Sequence, residues 1–160
     1  MRLLVVDDDP AIRTWLCTVF SPHAECHVAA DGNEAVTAVR QTLEEGRPYD
    51  LITLDIMMPG IDGHQTLAKI RQLEKEHERR GANVIMTTAM EDPRHCVRSF
   101  RAGCEAYVTK PLNREEILDQ ARRLLGGLPD ISNQETKSAA VQGVGPSAEN
   151  HQSFLGGHKP

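Results

Sequence analysis

The 160-residue sequence has no long hydrophobic run, no surplus of basic residues, no Cys-x-x-Cys pair and no internal repeat. Each absence excludes something. The longest uninterrupted aliphatic run, Leu3-Leu4-Val5-Val6, is far short of the ~18 residues of a membrane span. It starts at the third residue and ends on three aspartates, unlike a secretory signal. With 18 Lys+Arg against 23 Asp+Glu, a net charge of −5 and a pI near 5.8, a basic nucleic-acid-binding surface is not expected. Cys17, Cys26, Cys96 and Cys104 lie apart, and no histidine stands near them at zinc spacing. They read as small buried hydrophobes in a reducing compartment. The expected protein is soluble and cytoplasmic.

What is present suffices for a core. The hydrophobic fraction of 39% rises to roughly 46% with the 12 glycines, within the ~45–50% of globular proteins. Composition changes at Gly126-Gly127. Residues 1–126 hold 16 Lys/Arg and 20 Asp/Glu, with nearly all the aliphatic periodicity. Residues 127–160 hold two basic and three acidic residues, have Phe154 as their aromatic, and are rich in Gly, Ser, Asn, Gln and Pro. Such a segment cannot bury enough apolar surface to offset ~1–2 kcal/mol of ordering per residue. The expectation is a domain over 1–126 and a disordered polar tail over 127–160, with no output domain.

Within 1–126, strand-like runs stand at Leu3–Val6, Cys26–Ala30, Leu51–Leu54, Val84–Met86 and Ala106–Val108. Helical stretches alternate with them. Asp9-Pro10 places an N-cap before a first-turn proline. Asp31 to Glu34 has capping-box spacing. His64 to Arg80 is apolar on one side and heavily charged beyond Leu73, so Glu74–Arg80 reads as a solvated helix end. Asp92-Pro93 starts another helix, and Asn113 precedes Arg114–Leu125. Five strands alternating with five helices predict a doubly wound α/β domain around a parallel sheet.

Ligands of such sheets bind beyond the carboxyl ends of the strands, so the strand endings belong together. The first ends on Asp7, Asp8 and Asp9 and the third on Asp55. The fourth ends on Thr87-Thr88-Ala89 and the fifth on Lys110-Pro111. Asp9 reads as a cap, Asp62 as a turn or cap residue, and Asp50 lies at the opposite end of its strand. Crowded carboxylates repel by several kcal/mol in a poorly solvated site. A hard divalent cation such as Mg²⁺ offsets this. An aspartate beside Mg²⁺, an ammonium and a hydroxyl is arranged to accept a phosphoryl group. Thr87 and Thr88 point to opposite faces of a strand, and spacing alone does not choose between them.

VVDDDP, LITLDIMMPGIDG, IMTTA and YVTKP together resemble, in order and spacing, the receiver domain of two-component response regulators, over residues 1 to about 126. The resemblance implies a flavodoxin-like five-stranded parallel sheet in the order 2-1-3-4-5. It implies Asp55 as acceptor of a phosphoryl group from a phosphohistidine of a sensor histidine kinase or histidine phosphotransfer protein. Mg²⁺ would be bound by Asp8, Asp55 and the backbone carbonyl of Met57, with Asp7 acting through water. Thr88, favoured over Thr87 by the following Ala89, would be the switch hydroxyl, Lys110 its phosphoryl-pairing partner and Tyr107 the aromatic switch. Pro111 would follow a cis peptide bond. Phosphorylation would bias a face carrying Arg94, Arg98, Arg101, Arg122 and Arg123 toward an unknown protein target or a second copy of the chain.

Two departures carry mechanism. The resemblance implies that Met57 and Met90 stand at the two positions beside the path of the water that hydrolyses an aspartyl phosphate, and a thioether cannot orient that water. Slow self-dephosphorylation follows. The alternatives are a phosphohydrolase of the haloacid dehalogenase type, opposed by Met57 where that family keeps a second aspartate, and a degenerate receiver used only for binding, opposed by the complete acidic set, Thr88 and Lys110. The expected protein is a signalling switch that turns over only its own phosphoryl group, with no membrane and no direct nucleic-acid contact.

Overall fold

In the computed structural model, the described residues are 1–89, 100 and 103–131. Strands β1 (Arg2–Val6), β2 (Glu25–Ala29), β3 (Leu51–Asp55), β4 (Asn83–Thr88) and β5 (Ala106–Thr109) form one sheet. Helices α1 (Pro10–Phe20), α2 (Gly32–Glu44), α3 (Gly63–Glu76) and α4 (Arg114–Leu125) cover it. The strand order is β2-β1-β3-β4-β5, with every pairing parallel. The helix expected from Asp92-Pro93, together with Met90, Arg94, Cys96, Arg98, Arg101 and residues 132–160, lies outside the described residues.

Strand alternation builds two cores. Leu3, Val5, Leu51, Ile85, Ala106 and Val108 pack on one face with Leu16, Phe20, Ile117, Leu118 and Ala121 of α1 and α4. Leu4, Val6, Ile52, Leu54, Val84 and Met86 pack on the other with Val39, Leu43, Leu67 and Ile70 of α2 and α3. Each fully buried aliphatic side chain contributes about 1.5–3 kcal/mol, so a one-residue slip in any central strand exchanges both faces and is strongly disfavoured.

The helix starts follow the caps. Asp9 accepts from Ala11 N at 2.8 Å with Pro10 at the first helical position. Asp31 accepts from Asn33 N and Glu34 N, but Glu34 reaches back to Ala30 N at 2.8 Å rather than to the cap residue itself. Asp62 and Gln65 close a full capping box on α3. Asn113 caps α4, and Gly126 ends it in the left-handed region at φ 70°.

The charged run after Leu73 is solvated from Lys75 to Arg80, but the reading of a solvated helix end fails at Glu74. Helix α3 stops at Glu76, and Glu78 turns the chain at φ 51°. Glu74 is buried: its carboxylate accepts from Ala82 N at 2.7 Å and from Arg71 at 2.8 Å. Arg71 also holds Gly103 O and the carboxylate of Glu105. A charge on the inward side of a helix looks solvated until its partner, remote in sequence, is known.

Candidate functional site

The site grows from strand parity. Asp7 continues the Leu3, Val5 side of β1, and Asp55 the Leu51 side of β3. Both carboxylates therefore rise on one face at the carboxyl edge of the sheet, with Asp8 next to them. Ligand oxygens of Asp7, Asp8 and Asp55 all lie within 4.8 Å of one another. Asp7 and Asp55 are buried and Asp8 is exposed. Lys110, delivered by the end of β5, places Nζ 2.8 Å from Asp7 Oδ2 and 3.2 Å from Asp55 Oδ2. The Lys110–Pro111 peptide bond is cis.

Backbone groups fix the carboxylates. Asp7 Oδ1 accepts from Asp9 N at 2.9 Å, and Asp55 Oδ1 from Met57 N at 3.4 Å. Burial pushes the Asp55 carboxyl above the usual carboxylate range and the charge on Asp7 adds to it, against the pull of Lys110. Burial acts to lower Lys110, but its hydrogen bond to Asp7 and the charges of Asp55 and Asp7 prevail and hold the ammonium above its ordinary value. The cluster is thus an anionic pocket with an ionised lysine at its wall.

Thr88 is the last residue of β4 and is fully buried, and its carbonyl accepts from Lys110 N at 2.7 Å. In the register, Asp55 pairs with Thr87, while Met86 pairs with Tyr107 and Thr88 with Thr109. Thr88 therefore shares its face with Met86 and the half-buried Tyr107. Met57 stands at the mouth, 57% exposed. Asp50 receives Arg2 N at 2.7 Å at the far end of the sheet, and Asp9 and Asp62 are caps.

Two supporting contacts escaped the sequence reading. Arg13, one turn into α1, donates to the carbonyl of Asp7 at 2.6 Å and so braces the strand end that carries two carboxylates. The helical offset from Pro10 was its only signal. Gly63 is the other: a Cβ there would lie 2.3 Å from Asp55 O and 2.8 Å from Ile56 Cα. Any side chain at the start of α3 would push on the backbone of Asp55 itself, which gives the Asp62-Gly63 pair a reason beyond turn formation.

The donor set is three carboxylates, one open to water. All-oxygen ligands with room for water suit a hard cation such as Mg²⁺, and the charge imbalance against Lys110 favours a cation. The residues fit that metal. Among the described residues, no helix is long and apolar enough to cross a membrane.

The response regulator receiver domain family matches residues 3–122. The chain is 33% identical over 125 residues to the transcriptional regulatory protein TcrA of Mycobacterium tuberculosis, covering 78% of this chain and 46% of that one. It is 33% identical over 123 residues to the regulatory protein VanRB of Enterococcus faecalis, covering 77% and 51%. The chain thus spans about half the length of these curated relatives. Among solved structures, it superposes on a chain of the CheX-CheY-BeF3-Mg complex of Borrelia burgdorferi with a TM-score of 0.67 at 28% identity, covering 78% of this chain and 88% of that one. The receiver domain of the histidine kinase CKI1 of Arabidopsis thaliana, complexed with Mg²⁺ and BeF3⁻, gives a TM-score of 0.70 at 26% identity over 78% and 89% of the two chains. The single parallel sheet with order 2-1-3-4-5, covered by helices on both faces, the carboxylate cluster at its edge and these matches agree: the chain belongs to the response regulator receiver domain family.

Proposed function

We propose that the chain is a phospho-acceptor switch in which Asp55 takes a phosphoryl group from a phosphohistidine of a sensor kinase or histidine phosphotransfer protein. The observation that carries this reading is the convergence of Asp7, Asp8, Asp55 and the Lys110 ammonium within a few ångströms at one sheet edge. Receiver domains are signalling modules rather than metabolic enzymes, so the chemistry asked of the chain is transfer to itself. An Asp55 oxygen forms the new bond to phosphorus, the phosphorus–nitrogen bond breaks, and the departing imidazole nitrogen takes up a proton.

Asp8, Asp55 and the Met57 carbonyl are the groups that would hold Mg²⁺, with Asp7 acting through a water. The metal, when bound, neutralises phosphoryl oxygens. Lys110 orients and neutralises the same group from the β5 side, released from part of its pairing with Asp55 once that carboxylate has become an acyl phosphate. Thr88 supplies the hydroxyl that turns toward the phosphoryl group, and Tyr107, on the same face, follows it. The output passes through the β5–α4 side, where Arg122 and Arg123 are exposed, to a protein target or a second copy of the chain. This activity belongs to residues 1–126, whatever output is joined to them.

Acetyl phosphate and Mg²⁺ should add one phosphoryl group by intact-mass spectrometry, and Asp55→Asn should abolish it. An increment that persists in the variant would overturn the assignment.

A further inference from the structure

Thr53 is the middle residue of β3, fully buried, and its Oγ1 has no hydrogen-bond partner among the described residues. Two other buried threonines contrast with it: Thr42 donates to Val39 O at 3.0 Å and Thr66 to Asp62 O at 2.8 Å. Thr53 lies between Val5 of β1 and Ile85 of β4 in the register, and on its own strand it shares a face with Leu51 and Asp55. Its flanks are apolar. The nearest polar layer on that face is Asp7, Asp55 and the buried Thr87, one pleat repeat away, roughly 6.6 Å along the strand.

That spacing exceeds a direct hydrogen bond and suits one bridging molecule. The carboxylates have the acceptor capacity: Asp7 meets Asp9 N and Lys110 Nζ, Asp55 meets Met57 N and Lys110 Nζ, and an ionised carboxylate offers about four sites. Buried waters typically make about three hydrogen bonds to such groups. A valine of the same shape would avoid leaving a hydroxyl unmatched in an apolar layer.

We propose that Thr53 is a positioning residue for the acceptor: its hydroxyl binds a single buried water that hydrogen-bonds to the Asp7–Asp55 carboxylates from below and holds Asp55 in place. The role rests on the acceptor reading given above. It separates Thr53 from the groups that touch the phosphoryl donor, since it reaches Asp55 only through the water.

The test joins structure to binding. A high-resolution crystal structure of the protein should show a water within hydrogen-bond distance of Thr53 Oγ1 and of an Asp55 or Asp7 oxygen. By calorimetry, Thr53→Val should bind Mg²⁺ about tenfold more weakly, as loss of a ligand's outer partner does. Its phosphorylation by acetyl phosphate should slow in step, and Thr53→Ser should restore both. Thr53→Ala, which also lacks the hydroxyl, stands in if the valine variant does not fold. Absence of the water, or unchanged Mg²⁺ affinity in the hydroxyl-free variant, overturns the proposal. A wild-type protein that binds no Mg²⁺ and accepts no phosphoryl group refutes the acceptor reading, and the proposal with it, whatever the density at Thr53.

Discussion

The two ends of the sheet treat their carboxylates differently. At the carboxyl edge, Asp7, Asp8 and Asp55 crowd within 4.8 Å, met by the ammonium of Lys110. At the amino edge, Glu74 accepts from Ala82 N and Arg71, while Glu105 accepts from Val84 N at 2.6 Å and from Arg71. There each negative charge has its own donors, and the same guanidinium ties α3 to the residues before β5 through Gly103 O. One edge is saturated and holds the fold. The other is left short of positive charge, and that deficit is what the proposed cation would meet.

The sharpest way to break this contrast is to delete a carboxylate from each edge. Glu74→Ala leaves Ala82 N without its acceptor and Arg71 with Glu105 as its remaining carboxylate, and should lower stability by about 3 kcal/mol. Asp55→Asn removes a like charge from a crowded set and should leave magnesium-free stability unchanged within about 1 kcal/mol, or raise it. Urea midpoints of the two variants at constant m-value measure both. Equal destabilisation would mean that the site edge is as well satisfied as the base.

The next largest effect is metal stabilisation. Ligand binding to the folded state alone contributes about 2.7 kcal/mol at a hundredfold excess over Kd. Wild type and any Glu74 variant that folds should gain this from Mg²⁺ in thermal melts, whereas Asp8→Asn should lose most of it. Retention in Asp8→Asn would place the cation elsewhere.

The same contrast explains what the sequence disclosed. Asp7, Asp8, Asp55 and Lys110 each sit directly after a recognisable strand, and a parallel sheet gathers its carboxyl ends, so local pattern plus topology sufficed. Glu74 was hidden because its partners, Arg71 apart, are Ala82 and the structure around Glu105, a relation no helical period encodes. Arg13 and Gly63 were hidden for a related reason, since their function is an approach to backbone atoms of Asp7 and Asp55. Thr87 and Thr88 show the limit of parity: the register sets Thr87 beside Asp55 and Thr88 on the face of Tyr107, and the proposal of Thr88 as the switch rests on the family pattern alone.

A smaller effect probes the mouth of the site. Met57 is exposed beside Asp55 and offers no group that orients a hydrolytic water. Met57→Asn should shorten the lifetime of the phosphorylated state about three- to tenfold, a change of about 0.7–1.4 kcal/mol in the barrier. Phosphate release from the phosphorylated, Mg²⁺-loaded protein reads this directly. An unchanged lifetime would assign slow turnover to some other wall of the pocket.

The smallest expected effect lies at the amino edge, in β2. Cys26 follows Glu25 there, with its thiol 3.9 Å from Cys17 O. Burial, reinforced by the neighbouring Cys17, pushes the Cys26 thiol from 9.0 up to about 12. Because the folded value lies above the ordinary one, ionisation favours the unfolded chain. The neutral thiol's contribution is whole below about pH 9 and declines as pH rises toward the folded value. Tyr49, also raised by burial, acts in the same direction, so the informative quantity is a difference. Between about pH 8 and pH 10.5, wild type should lose slightly more melting temperature than Cys26→Ala. Alkylation of Cys26 near neutrality should be correspondingly slow, because little thiolate forms. Parallel melting curves together with rapid alkylation would show that the amino edge opens at β2, and that the saturation seen around Arg71 does not extend across the sheet.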